Sequence, residues 1–90
     1  MKYSILVADD EINSRQGLGK FLASDTRRVD LAADGREALE KLQKRSYDVL
    51  ITDIRMPEMD GMTLLQKAKE IDSSLGVIVL TAYGTIEMAV

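Results

Sequence analysis

The sequence predicts an α/β domain, a parallel sheet with helices on both faces. Three observations predict it. Strand-like runs at Ile5–Ala8, Val29–Ala32, Tyr47–Thr52 and Val77–Leu80 alternate with stretches of helical periodicity. Strict alternation of this kind argues parallel strands joined by right-handed crossovers. The segment Val49-Leu50-Ile51 is continuously apolar with β-branched members, which fits a strand covered on both sides. The runs also stop abruptly at polar residues: Asp9-Asp10, Asp53 and Thr81. Those residues then fall at the carboxyl rim of the sheet, where open α/β sheets bind ligands.

Each element has its own justification. Ile5–Ala8 is a short apolar run and is expected to be a buried strand. From Ile12 to Ser24, apolar residues at Ile12, Leu18, Phe21 and Leu22 form a helical stripe, weakened by Gly17 and Gly19. Val29–Ala32 follows as a short strand. Asp34 with Glu37 three residues later has the form of a capping box, and Ala38, Leu39 and Leu42 carry that helix to about Arg45. Tyr47–Thr52 is the third strand. Pro57 cannot continue a ladder and Asp60-Gly61 is a turn signal, so the chain leaves the sheet after Asp53. Leu64, Leu65, Ala68 and Ile71 mark a helix from about Met62, broken by Asp72-Ser73-Ser74. Val77–Leu80 is the fourth strand. Gly84-Thr85 is expected to open a further helix with Ile86, Ala89 and Val90 on one side, leaving the fourth strand with a bare edge.

Composition removes several function classes. The 90 residues make one small domain with a formal net charge of −3, so no field draws the chain to nucleic acid or to an acidic membrane. Without Cys there is no disulfide framework and no thiolate chemistry. Without His, metal binding must rely on oxygen ligands, which favours hard cations such as Mg²⁺. The opening residues lack the long apolar stretch of a secretory signal and no segment approaches a membrane span. A cytoplasmic protein is the expectation.

The chemistry concentrates at the strand ends. If the first and third strands are neighbours, the carboxylates of Asp9, Asp10 and Asp53 meet at one rim. Clustered carboxylates repel, and a divalent cation removes that conflict while attracting a phosphoryl donor. Asp53 is then a nucleophilic carboxylate able to accept a phosphoryl group. Thr81 offers a hydroxyl to a phosphoryl oxygen, and the small Ala82 beside it leaves access for that group. Taken singly, Asp-Asp after a strand is as well read as a helix cap, Asp53 as a turn aspartate and Thr81 as a strand-end residue. Their agreement in position across three strand ends favours the site. Gly17-Leu18-Gly19 is no phosphate loop, because Phe21 follows Lys20 where Ser or Thr would be needed. Met56, Met59 and Met62 are expected to pack the loop and helix.

Four segments resemble the receiver domain of bacterial two-component response regulators. They are Val7–Asp10 (V-A-D-D), Asp34–Leu39 (D-G-R-E-A-L), Asp48–Gly61 (D-V-L-I-T-D-I-R-M-P-E-M-D-G) and Leu80–Gly84 (L-T-A-Y-G). The stretch from Thr81 to Val90 further resembles receivers of nitrogen-regulator-type transcription activators. The resemblance implies a doubly wound, flavodoxin-like receiver fold with strand order 2-1-3-4, and a fifth strand and helix that this chain does not contain. It implies that Asp53 is the phosphoacceptor. Asp10, Asp53 and the backbone carbonyl of Arg55 become Mg²⁺ ligands, with Asp9 acting largely through water. Thr81 becomes the switch hydroxyl, and the side chains of Arg55 and Tyr83 match positions that tune phosphoryl lifetime. The implied donor is a phosphohistidine on a sensor histidine kinase, and the implied output is transcription regulation.

The family pattern continues past the residues present here, through a strand that ends in a phosphate-pairing lysine. Residues 1–90 are therefore expected to be a receiver domain incomplete at its C-terminal end, with an exposed strand edge that drives self-association and apolar surface left uncovered. Two rival readings remain. One is a scaffold or dimerisation fragment that keeps the site without being phosphorylated. The other is a Mg²⁺-dependent phosphatase, which would need a second acid where Arg55 stands. A turnover enzyme is not expected.

Overall fold

The computed structural model describes residues 2–80 and, for residues 86–89, the course of the backbone. Strand β1 (Tyr3–Ala8) leads to helix α1 (Ile12–Leu22), then β2 (Arg27–Ala32), α2 (Gly35–Lys44), β3 (Val49–Asp53), α3 (Gly61–Ile71) and β4 (Gly76–Leu80). A short strand, β5 (Ile86–Ala89), follows. The sheet order is β2-β1-β3-β4-β5. The first four strands are parallel, as the alternation of elements and the order 2-1-3-4 led us to expect.

Side chains alternate across the strands and divide the core in two. On one face Leu6, Ala8, Leu50, Val77 and Val79 are buried beneath α2 and α3, which contribute Ala38, Leu42, Leu64 and Ala68. On the other face Ile5, Val7 and Ile51 pack with the half-buried Leu18 and Leu22 of α1 and with Val29, Leu31, Val49, Ile78 and Leu80. The two faces explain why Val49-Leu50-Ile51 is apolar at every position: Leu50 points one way, its neighbours the other.

α2 is the best-defined helix. The Asp34 carboxylate accepts the Glu37 N–H at 2.8 Å. Glu37 turns back, but to the Ala33 N–H at 2.9 Å, one residue before the partner a capping box supplies. That amide holds the Glu37 carboxyl below the usual range. α1 differs from expectation. Leu18 and Leu22 reach the sheet, whereas Phe21 is 80% exposed and Ile12 52% exposed. Phe21 precedes Leu22 by one residue and so lies about 100° round the helix from it; a stripe that wide cannot all face one sheet.

The segment read as a further helix is instead β5, which pairs antiparallel with β4 from Leu80↔Ile86 to Val77↔Ala89. The physical reason is the edge. β4 would otherwise present a row of unpaired backbone groups. A helical pattern confined to seven residues is too short to hold itself. The expectation of a bare β4 edge falls with it. Among the described residues no helix is long and apolar enough to cross a membrane.

One polar network ties the lower end of the sheet together. The Tyr47 hydroxyl, just ahead of β3, donates to Asp30 Oδ2 of β2 at 2.6 Å. Arg45, beyond α2, reaches the same oxygen at 3.2 Å and Arg28 at 3.5 Å. Burial pushes the Tyr47 phenol well above its ordinary value, and the Asp30 carboxylate pushes it further. A raised phenol favours folding while it stays protonated. Its contribution is complete below the unfolded value near 10 and is lost as pH climbs above that. We therefore expect the urea midpoint of the wild-type chain to fall steeply above about pH 10. Tyr47→Phe should flatten that alkaline arm and, at neutral pH, cost about 1 kcal/mol. Superimposable alkaline profiles would show that Tyr47 carries none of this dependence.

Candidate functional site

β1 and β3 are adjacent and parallel, with Ala8 opposite Thr52. The next residues on each strand are Asp9 and Asp53, so the ladder itself delivers both to one rim. Asp9 is 3% exposed. Its N–H donates to the Ala32 carbonyl at 3.1 Å and its Oδ1 accepts the Glu11 N–H at 2.9 Å. Asp10 is exposed and lines an open depression with Ile54, Arg55, Met56, Pro57 and Asp60. Asp53 is half-buried, and the Arg55 N–H approaches its Oδ1 at 3.4 Å. One carboxylate oxygen from each of Asp9, Asp10 and Asp53 lies within 4.8 Å of the others.

The turns around these acids are held by short-range bonds. The acid pair does not cap α1; Glu11 does, accepting the N–H groups of Asn13 at 3.0 Å and Ser14 at 2.7 Å. Those amides hold the Glu11 carboxyl below its usual range. Asp60 caps α3 through the Thr63 N–H at 2.8 Å and is likewise lowered by it. Between Asp53 and Asp60 the chain makes a tight loop. Ile54 N–H donates to the Leu80 carbonyl and Gly61 N–H to the Ile54 carbonyl, both at 2.9 Å. Glu58 takes a left-handed backbone, φ 68°, an arrangement that costs a non-glycine residue about 1 kcal/mol.

Two glycines set the closeness of the packing. A Cβ on Gly61 would lie 2.9 Å from Ile54 Cα and closer still to the Asp53 carbonyl oxygen. The α3 N-terminus therefore sits directly on the backbone of the rim aspartate. A Cβ on Gly35 would meet the Met59 thioether at 2.8 Å, so the loop also leans on the start of α2. Met56 is buried and Met59 half-buried, as expected, whereas Met62 is 43% exposed.

The fit of these residues to a cation can be judged by geometry. The donor set is all carboxylate oxygen, suited to a hard ion. Oxygens bound to one octahedral Mg²⁺ lie about 3.0 Å apart when adjacent and about 4.2 Å apart when opposite, so carboxylates within 4.8 Å of one another would close in on the ion or leave a water on one acid. Asp9, already bonded through one oxygen and nearly enclosed, is the acid for which water mediation fits best.

Of the residues read from sequence, Asp9, Asp10 and Asp53 come together, and Arg55 lines the same depression. Thr81, Ala82 and Tyr83 lie outside the described residues. Gly17 and Gly19 lie within α1, away from any strand-to-helix turn. Reading the sequence missed three contributors. Thr52 is fully buried, and its hydroxyl donates to the Asp53 carbonyl at 3.0 Å. Glu11 is the α1 cap. Arg15 Nη1 donates to the Asp9 carbonyl at 2.7 Å. The four-residue spacing of Glu11 and Arg15 was the one visible signal, and it reads first as a surface ion pair.

Residues 5–90 match the family described as "Response regulator receiver domain". The transcriptional regulatory protein ZraR of Escherichia coli O157:H7 is 40% identical over 86 residues, covering 96% of this chain and 20% of its own length. The sensor protein EvgS of Escherichia coli K12 is 47% identical over 81 residues, 90% of this chain and 7% of EvgS. The chain thus spans about a fifth or less of the length of these curated relatives. A crystal structure of the response regulator protein TrrA from Thermotoga maritima, in complex with Mg(2+)-BeF, superposes with a TM-score of 0.84 at 38% identity, covering 92% of this chain and 71% of that one.

Gly61→Ala should cost about 1–3 kcal/mol in urea unfolding, because the new methyl group meets backbone rather than a flexible side chain. A change within about 0.5 kcal/mol would mean that α3 does not press on Asp53 as described.

Proposed function

This chain belongs to the response regulator receiver family, and from that premise we propose that Asp53 is its phosphoacceptor, served by Mg²⁺. The observation that carries the reading is the meeting of the Asp9, Asp10 and Asp53 carboxylates at the rim where β1 and β3 end. In the transfer an Asp53 carboxylate oxygen forms a bond to phosphorus. The phosphorus–nitrogen bond to the donor imidazole breaks, and its electron pair stays with that nitrogen. The product is an acyl phosphate. The donor is a phosphohistidine on a sensor histidine kinase; this chain has no His of its own.

Asp10 and Asp53 would hold Mg²⁺ directly, with the Arg55 carbonyl, and Asp9 through water. The ion supplies charge neutralisation that three carboxylates and an incoming phosphoryl group require. Asp9 and its bonded turn keep the rim rigid, and the open depression beside Asp10 admits the donor. Thr81 is assigned the switch hydroxyl that follows the phosphoryl group, and Ala82 the small residue that lets the group sit against the backbone. Output is a shift between two conformations near Thr81. Its destination is transcription control, a role that likeness to ZraR supports. The acceptor is charged and discharged rather than turning over substrates, so the domain works as a relay in the cytoplasm and does not bind DNA directly. Residues 1–90 are read as a receiver domain.

A second reading, self-association, rests on different observations. The expected reason, a bare β4 edge, is gone. What supports it is the sheet face that, among the described residues, only α1 covers, together with Phe21 at 80% and Ile12 at 52% exposure.

With Mg²⁺ and acetyl phosphate, intact mass should show one phosphoryl adduct, absent in Asp53→Asn and after removal of the ion by EDTA. An adduct that survives in Asp53→Asn would refute the assignment. In sedimentation velocity over a concentration series, the wild-type chain should show a dimer that Phe21→Asp dissociates. A monomer at every concentration would end the second reading.

A further inference from the structure

We propose that Arg15 is a positioning residue for the acidic site: its guanidinium pins the peptide joining Asp9 to Asp10 and so sets the direction of the Asp10 carboxylate. The inference rests on the preceding reading that these acids hold a divalent cation.

Asp9 is fixed at each of its backbone groups and at one side-chain oxygen. Its N–H is tied to the Ala32 carbonyl at 3.1 Å, its Oδ1 to the Glu11 N–H at 2.9 Å, and its carbonyl to Arg15 Nη1 at 2.7 Å. The third bond is the one that matters for Asp10. β1 ends at Ala8, so the ladder no longer restrains the peptide beyond Asp9. That peptide is free to rotate as a unit unless something holds its oxygen. Asp10 is exposed and makes no side-chain hydrogen bond among the described residues. Where its carboxylate can reach is therefore set by the backbone that aims its Cα–Cβ bond. Arg15 reaches back from the second turn of α1 to supply the missing restraint.

The residue type suits the task. A charged N–H bond to a carbonyl is stronger than a neutral one, and the planar guanidinium fixes direction as well as distance. Arg15 is half-buried, although α1 contains no buried residue at all. Its charge alone would act the other way. A fixed cation held at the Asp9 backbone competes with a metal ion bound by these acids, so removing it would tighten binding. Positioning and charge thus predict opposite signs.

Mg²⁺ binding is measured by calorimetry on the wild-type chain, Arg15→Ala, Arg15→Lys and Tyr47→Phe, at a temperature where circular dichroism shows all four folded. Tyr47→Phe is the control for general loosening, since Tyr47 lies at the far end of the strands. Arg15→Ala should raise the Mg²⁺ Kd about tenfold. Arg15→Lys, which keeps a donor for the Asp9 carbonyl, should recover much of the loss, and Tyr47→Phe should match wild type. In the cation-free protein, the Glu11 amide should exchange with solvent faster in Arg15→Ala than in wild type. An unchanged or tighter Kd in Arg15→Ala, or an equal loss in Tyr47→Phe, overturns the inference. A wild-type chain that fails to bind Mg²⁺ removes the underlying reading and this inference together. Wild-type binding with an unaltered Arg15→Ala constant removes the inference alone.

Discussion

The pairing of β1 with β3 is the constraint on which the rest depends. Parallel strands advance together, so once Ala8 faces Thr52 the following residues arrive side by side. Neither Asp9 nor Asp53 needs a special contact to find the other. The cost is repulsion between carboxylates at a partly enclosed rim. The fold meets it locally by giving Asp9 an amide donor and by leaving Asp10 in water. A slip of one residue would put these side chains on opposite faces of the sheet and bury Leu50 where Ile51 belongs. The two apolar clusters, each built from alternate residues, guard the register.

Much of this was legible in the residues because the signals were redundant. Val49-Leu50-Ile51 announced a strand covered on both faces, and the acids at its end and at the end of Ile5–Ala8 announced a rim. Asp34 and Glu37 announced the start of α2. What escaped notice depended on side-chain direction and on distant partners. Phe21 belongs to the α1 stripe by spacing but not by angle, since α1 packs on the sheet through Leu18 and Leu22. Glu11, next to two more conspicuous acids, gave no sign that it rather than they would cap the helix. Arg15 sits among the polar positions of the α1 stripe, and only the fold shows a backbone carbonyl within its reach. Ile86–Ala89 reads as part of a helix, and the open edge of β4 takes it as a strand.

The three turns at the rim share one construction. A carboxylate receives an amide at the start of each helix: Glu11 for α1, Asp34 for α2, Asp60 for α3. Capping acids therefore stand among acids free to serve as ligands. Holding an amide does not by itself separate the two kinds, since Asp9 also accepts one, from Glu11. Glu11 and Asp60 are engaged by helix amides, which favour their charged form. Asp10 makes no side-chain hydrogen bond among the described residues.

The contact between Gly35 and Met59 reaches further than packing. Because the thioether occupies the space a side chain at position 35 would need, the β3–α3 loop is shaped in part by a residue 24 positions earlier. The loop is consequently not a portable module. Transplanted into another scaffold without its glycine, it would have to re-route Met59, and with it the segment that carries Pro57 past the rim.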